Sequence, residues 1–477
     1  MSGGARAWLR GWPLVVLFAL SLPAVTPRIY ASDEVQYFAW LRSLWFDRDV
    51  SFDNEYRHFY ERGLVRSPGF HETFLERTTE TGRRLNFGTI GCAILWSPFY
   101  AAGHAVALAS RGRQVEWPAD GYSPPYVAAV AYGSAVYGLL ALLISAAVAE
   151  RLTGHGRWPA LVVWLGTPLV FYMYVAPPMA HACSAFAVAA FVAAWLAVRR
   201  RWSARGTAAL GALGALVAMV REQDAFFLAG PALDFAVTWL ARAAGRGDPR
   251  LPSAGRLLAS AAAGAAAALA AYLPQAVAYI ALNGHLGPSR LVARKMTWSS
   301  PHAVEVLLSP EHGFFVWTPL ALAGLAGLFL LLRPAPQRPW SAEAGALAAD
   351  RPWLGGCLLV MFALQVYIAG SIESWTVAGA FGQRRFVSVT VLLVIGLAAL
   401  AERATRPRAR AALAALALLA VWWNVGLMAQ FGAGLMDRQR LEPARNAYTT
   451  FVELPRLFPD LVRRYLYDRS SFYAPDR

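Results

Sequence analysis

The sequence predicts an all-α polytopic membrane protein with about eleven transmembrane helices. Three observations carry this. The 477 residues are 57% hydrophobic, with a mean hydropathy of +0.39. Apolar runs near the ~20 residues that span a bilayer recur from end to end. Those runs hold almost no internal charge, whereas a soluble chain of this length shows shorter, interrupted ones.

The expected spans fall at 12–27, 126–149, 158–176, 181–198, 207–221, 225–241, 257–282, 313–332, 353–369, 386–400 and 411–430. The stretch 86–109 is also apolar, and loop charge decides its place. If it does not cross, the N-terminus lies inside. So do Arg151 and Arg157, then Arg199, Arg200, Arg201 and Arg205, then Arg242, Arg246, Arg250 and Arg256. Arg333, Arg338 and Arg351, and Arg403, Arg406, Arg408 and Arg410, follow the same side. If 86–109 crosses, every one of these clusters flips outward. The first reading obeys the positive-inside rule. We therefore expect 86–109 as a juxtamembrane or re-entrant helix under the outer surface, where Gly88, Gly91, Pro98 and Gly103 suit irregular, protein-buried chain.

This leaves outer regions at 28–125, 283–312 and 370–385. Residues 1–430 form the expected membrane domain and 431–477 an outer tail or cap. Arg6 and Arg10 ahead of 12–25 also resemble a secretory leader, but no small-residue cleavage site follows. The net charge of +15 comes almost wholly from arginine, and Lys295 is the one lysine. With abundant Ala and Gly, this suggests GC-rich coding and a bacterial inner membrane. The arginines are scattered through loops, so nucleic acid is not an expected partner. Cys92, Cys183 and Cys357 lie in apolar segments and read as small buried hydrophobes.

The most informative residues are Asp33 and Glu34, just past the first span. Residues 32–46 carry a helical apolar stripe of Tyr37, Phe38, Leu41, Leu44 and Trp45, with Gln36, Ser43 and Asp47 off it. Such a helix is expected to lie along the interface. Asp33 is its expected N-cap, with Gln36 completing a capping box. A carboxylate held ionised at a helix N-terminus also suits a general base. Asp47, Arg48 and Asp49 read as a solvated turn, while Asp53, Glu55, Tyr56, Arg57 and His58 carry no assigned role.

The pattern resembles the GT-C glycosyltransferase superfamily, most of all the bacterial branch related to protein O-mannosyltransferases and the lipid A aminoarabinose transferase. Ser32, Asp33, Glu34, Val35 and Tyr37 resemble the acidic motif that opens that family's first outer loop. Residues 86–91 and 95–99 resemble its second juxtamembrane helix, with Gly88, Thr89, Ile90 and Gly91 in place of the usual Pro-Pro-Leu-Gly. Residues 309–319 and 379–386 resemble segments of bacterial members. The resemblance covers residues 1 to about 430 in topology. It implies a GT-C fold, a polyprenyl-phosphate sugar donor, inversion at the anomeric carbon, and a lipid, glycan or protein acceptor. It makes Asp33 the base, with Glu34 as its neighbour or substitute.

An inverting transfer needs a base and positive charge on the leaving phosphate, which arginine binds in two places. The candidates are Arg384 and Arg385 after Gly382, Arg294 and Lys295 with Arg290, Arg221 before Glu222 and Asp224, and Arg84 beside Arg83. Glu222 or Asp224 is the expected partner of Arg221. His58, His181, His302 and His312 form no metal-ligand spacing, so no metal and no cofactor is assigned. A divalent ion held loosely at Asp33 and Glu34 stays open, and the family's monophosphate donors generally need none. Two other functions compete. An O-antigen ligase or polymerase places its key residues late in the chain. A lipid or sugar transporter keeps ionisable groups at mid-membrane in repeated halves. The early acidic pair and the absence of a visible repeat favour a cell-envelope glycosyltransferase.

Overall fold

The computed structural model describes residues 11–65, 67–245, 251–334, 342–377 and 379–472, without the side chains of 342–348 and 470. Arg6, Arg10, Arg246, Arg250 and Arg338, among the arginines expected inside, lie outside these residues. In chain order the helices are α1 (Trp12–Ser21), α2 (Ser32–Arg42), α3 (Asp53–Glu61), α4 (Gly91–Ala109), α5 (Pro124–Thr153), α6 (Arg157–Gly166) and α7 (Leu169–Tyr174). There follow α8 (His181–Val198), α9 (Ala204–Val220), α10 (Ala229–Ala243), α11 (Ala254–Asn283), α12 (Arg290–Arg294), α13 (Glu305–Leu308) and α14 (Phe314–Trp317). The last are α15 (Leu320–Leu331), α16 (Ala342–Gly370), α17 (Thr390–Arg403), α18 (Pro407–Ala433), α19 (Pro443–Tyr448) and α20 (Leu454–Tyr467). Among the described residues no strand forms, and Thr78 and Arg84 make an isolated antiparallel bridge.

Eight described helices are long and apolar enough to cross a bilayer: Gly91–Ala109, Pro124–Thr153, His181–Val198, Glu222–Ala243, Ala254–Asn283, Ala349–Gly370, Arg384–Arg403 and Pro407–Ala433. This is the make-up of a polytopic membrane protein. Trp12–Ala24, Ala204–Val220 and Leu320–Leu331 are apolar but shorter.

Two expected spans are broken, and the cause is local. In 158–176 the helix stops at Gly166, and Thr167 before Pro168 is extended at φ −134° and ψ 166°. In 313–332 Thr318 before Pro319 leaves the helix at φ −129° and ψ 72°. Proline has no N–H to give and pushes its predecessor out of the α region. The carbonyls freed by the first break are not orphaned. Asn424 Nδ2 donates to Leu165 O at 2.8 Å and to Thr167 O at 3.0 Å.

Contacts divide the chain into two compact units. One comprises Met1–Ala24, Leu139–Phe171 and Thr297–Arg477; the other comprises Val25–Gly138 and Tyr172–Met296. In the first, Phe171 stacks on Phe381 at 4.7 Å and Phe314 on Phe386 at 4.3 Å. Arg351 grips Glu402 in a buried two-pronged pair, at 2.9 and 2.6 Å. In the second, Arg199 holds Asp234 the same way, at 2.9 and 3.1 Å, and Trp195 Nε1 donates to the same carboxylate at 2.9 Å. Such charges persist in an apolar core because each has its partner.

Both units depend on glycine where helices cross. Gly327 of α15 lies against Gly396 of α17, and Gly211 of α9 against Gly264 of α11. Without a hydrophobic drive between helices in lipid, such close backbone approach supplies the packing.

The helix α4 has the length of a span, and it packs against the end of α9, the segment that follows α2 and the first half of α5. Trp45 Nε1 donates to Ser97 Oγ at 3.2 Å, Tyr137 Oη donates to Leu95 O at 2.7 Å, and Gly103 lies against Pro125 and Ala129. The helix therefore runs back along α5 while keeping company with the loop that follows α1.

Gly327→Ala and Gly211→Ala each place a methyl inside the opposing carbonyl, so we expect each to destabilise by about 1–3 kcal/mol. Gly356, with open space around its Cβ position, is the neutral control; thermal unfolding in detergent reads all three. Membrane-impermeant thiol labelling of Glu61→Cys, Arg113→Cys and Arg157→Cys places the loops. We expect 61 and 113 to react from one face and 157 from the other. Opposite faces for 61 and 113 would make α4 a full span.

Candidate active site

The helix α2 begins at Ser32, after Ala31 in an extended conformation. Its third residue is Glu34, which folds back over the helix end. Glu34 Oε2 accepts from Tyr30 N at 2.9 Å and Ala31 N at 3.0 Å. This is half of a capping box, since Ala31 offers no side-chain acceptor. The capping role expected of Asp33 thus belongs to Glu34, because the helix starts one residue before Asp33. Glu34 is fully buried, and its Oε1 has no hydrogen-bond partner among the described residues. Burial pushes the carboxyl up to about 7 against the pull of the two amides, with Asp33 adding to the rise. Asp33 stands next to it, half-buried.

The rest of α2 is more enclosed than its expected interfacial stripe. Val35, Phe38, Ala39, Trp40 and Leu41 are all buried, while Leu44 and Trp45 are 40% exposed. Residues 86–90 lie across it. Gln36 Oε1 accepts from Phe87 N at 2.8 Å, Asn86 Nδ2 donates to Gln36 O at 3.0 Å, and Trp40 Nε1 donates to Gly88 O at 2.9 Å. A Cβ on Gly88 would press on the Tyr37 ring. The same loop reaches two further helices. Thr89 Oγ1 donates to Val220 O at 3.0 Å, and Ile90 N donates to Gln275 Oε1 at 2.9 Å. The segments joined in this way carry further buried polar atoms without a hydrogen-bond partner among the described residues: Gln223 Nε2, Gln275 Nε2 and Tyr279 Oη. Buried polar groups are seldom left so.

The expected phosphate-binding cations fall into three kinds. Some are engaged with neighbouring groups. Arg84 Nε donates to Asp53 Oδ1 at 2.7 Å, and Arg83 Nη1 to Ala281 O at 2.7 Å. Although burial works against it, Asp53 is held below the usual carboxylate range by Arg57 and Arg84. Arg221 is 9% exposed and donates to His181 Nδ1 at 3.2 Å. The expected acid Asp224 instead accepts from Ser184 Oγ at 2.5 Å. Others are exposed: Arg294 and Lys295 make no ion pair among the described residues, and Arg290 pairs with Glu80 at 2.9 Å. The third kind lies in the other unit. Arg385 is 8% exposed and donates to Ser374 O at 2.8 Å and Ser374 Oγ at 3.2 Å. Arg384, after the left-handed Gly382 at φ +61°, is half-buried.

A second cluster lies apart from the expected site residues. Arg42 Nη1 donates to Glu55 Oε1 at 3.0 Å and also pairs with Asp47. Its guanidinium lies 4.7 Å over the Tyr122 ring, on which His58 stacks at 3.8 Å. Glu55 is fully buried; burial pushes it up to about 8 and His58 down to about 4. Glu55 and His58 stand three apart, which puts them on one side of α3. That spacing was available in the sequence, but Arg42 and Tyr122, far off along the chain, were not. Asp49 holds the turn, accepting from Ser43 Oγ at 2.7 Å and Ser51 N at 3.0 Å.

Among the described residues no three His, Cys, Asp or Glu side chains are placed to hold a metal ion. No protein-family model matches the chain, and no curated protein matches it.

The Glu34 carboxyl titrates at about 7 when folded and 4.5 when exposed, so the folded state binds the extra proton. Its contribution is fully present below pH 4.5 and is lost as pH rises through 7, about 3 kcal/mol in all. Glu34→Gln should flatten that fall in unfolding temperature between pH 4.5 and 7. Equal slopes for the two proteins would refute the titration.

Proposed function

We propose that this protein is an inverting glycosyltransferase that moves a sugar from a polyprenyl-phosphate donor to an acceptor hydroxyl at the outer face of the membrane. The observation that carries the reading is the division of labour in the acidic pair. Glu34 is buried, bound to two backbone amides and protonated near neutrality, so it braces the helix end. Asp33, half-buried beside it at the positive end of α2, is then the base, and Glu34 is its neighbour and not its substitute.

In this reading Asp33 takes the proton of the acceptor hydroxyl as that oxygen attacks the anomeric carbon. The bond from that carbon to the phosphate oxygen breaks, and the electron pair leaves with the polyprenyl phosphate. Cations then stabilise the departing charge. Arg294 and Lys295, exposed and without an ion pair among the described residues, suit this better than Arg84 or Arg221, whose guanidinium groups already bind neighbouring protein atoms. The resemblance in residues 32–37 and 86–99 supports the same chemistry, as does the docking of those two segments on one another.

Membranes carrying the protein, supplied with a panel of polyprenyl-phosphate hexoses and pentoses, test the assignment. Asp33→Asn should lower transfer by about 10²–10⁴-fold, the usual contribution of a general base, and leave polyprenyl phosphate binding intact. Near-normal transfer by this variant rules Asp33 out. Arg294→Ala and Lys295→Ala should raise the donor KM; unchanged donor kinetics in both would rule out a role for them at the donor.

A further inference from the structure

The C-terminal helix α20 has three distinct sides, one residue apart around its axis. Positions 454, 458, 461 and 465 face the protein. Leu454 is 0% and Leu461 9% exposed, Phe458 meets the Trp422 ring at 5.5 Å, and Tyr465 Oη donates to Ala24 O at 2.7 Å. The next stripe, Pro455, Pro459, Val462 and Leu466, is wholly apolar and exposed. The third, Arg456, Asp460, Arg463 and Tyr467, is exposed and mostly polar. An uncovered apolar stripe between a protein-facing side and a cationic side is the arrangement of a helix lying in a membrane interface.

Two attachments place α20 at that level. Tyr465 and Arg469 donate to the carbonyls of Ala24 and Pro23, at 2.7 Å each, where the first apolar helix ends. That helix exposes Val15, Val16 and Leu20, the last at 75%, as a lipid-facing surface would. The preceding turn is also tied to α18. Trp422 Nε1 donates to Thr450 O at 3.1 Å, and Trp423 stacks with Phe451 at 6.4 Å.

We propose that α20 is a membrane-surface anchor. Val462 and Leu466 enter the acyl region, and Arg456 and Arg463 bind the phosphates of anionic phospholipid headgroups. The side chain of Arg463 is 77% exposed, and its nearest acid, Asp460, is 3.9 Å away. That leaves both guanidinium groups able to take a phosphate in two-pronged fashion. This inference is independent of the proposed reaction.

The test uses the full chain in nanodiscs, with a fluorophore attached through Val462→Cys, Leu466→Cys or Asp460→Cys. Cys92, Cys183 and Cys357 are buried and leave the background clean. Doxyl-labelled lipid should quench the probes at 462 and 466 several-fold more than the probe at 460, and aqueous iodide should do the reverse. Iodide access to all three with no lipid quenching overturns the anchor. Shielding of 462 and 466 from both quenchers also overturns it, and assigns the stripe to a second copy or another protein. In phosphatidylcholine discs, adding phosphatidylglycerol should deepen lipid quenching at 462. The Arg456→Gln/Arg463→Gln pair should abolish that increase but keep the quenching in pure phosphatidylcholine. An increase that survives the double substitution overturns the headgroup assignment.

Discussion

A chain that leaves one apolar helix and turns at once into a protein-buried one must find partners for the backbone amides at the turn. Glu34 supplies two of them, at Tyr30 and Ala31. Part of the second unit is tied to the helix that this join begins. With the start of α2 set, Gln36 and Trp40 present an acceptor and a donor to residues 86–90, and those residues in turn reach α9 and α11. The cost of the join is a buried carboxyl with one oxygen unsatisfied, and its raised titration follows from that.

The same rule of satisfaction sorts the arginines. In or near an apolar medium a guanidinium group is stable when its donors are used. Arg199 and Arg351 use theirs on a carboxylate, Arg385 on a turn, and Arg83 on the end of a helix. A group engaged in this way holds the fold and has fewer donors left for a ligand. Arginine content alone therefore overstates the number of binding groups, and the choice among them rests on which donors remain.

Helix breaks follow from the same accounting. The Thr-Pro steps at 167–168 and 318–319 end helices that hydropathy reads as continuous. A hydropathy window averages over a proline, whereas the hydrogen-bond ladder does not. At the first of these breaks the structure answers with Asn424, a buried amide on a distant helix. Its role is invisible from its own neighbourhood in the chain, which is apolar.

The all-helical, multi-spanning character was legible in the sequence, because apolar length and the absence of charge are properties of consecutive residues. So was the helix that begins near Ser32, since two acids ahead of an apolar stripe are a local signal. Which acid caps was not, because it depends on where the first helical turn begins, and that is set by Ser67 and Tyr30 as much as by the acids themselves. Nor were the Arg42–Glu55–Tyr122 cluster, the pairing of Arg221 with His181, or the three-sided exposure of α20. Each joins residues that are far apart along the chain or depends on which side of a helix is covered. Only the packed fold decides burial, and burial decides which charges stay bound, which titrate and which are left to meet lipid or substrate.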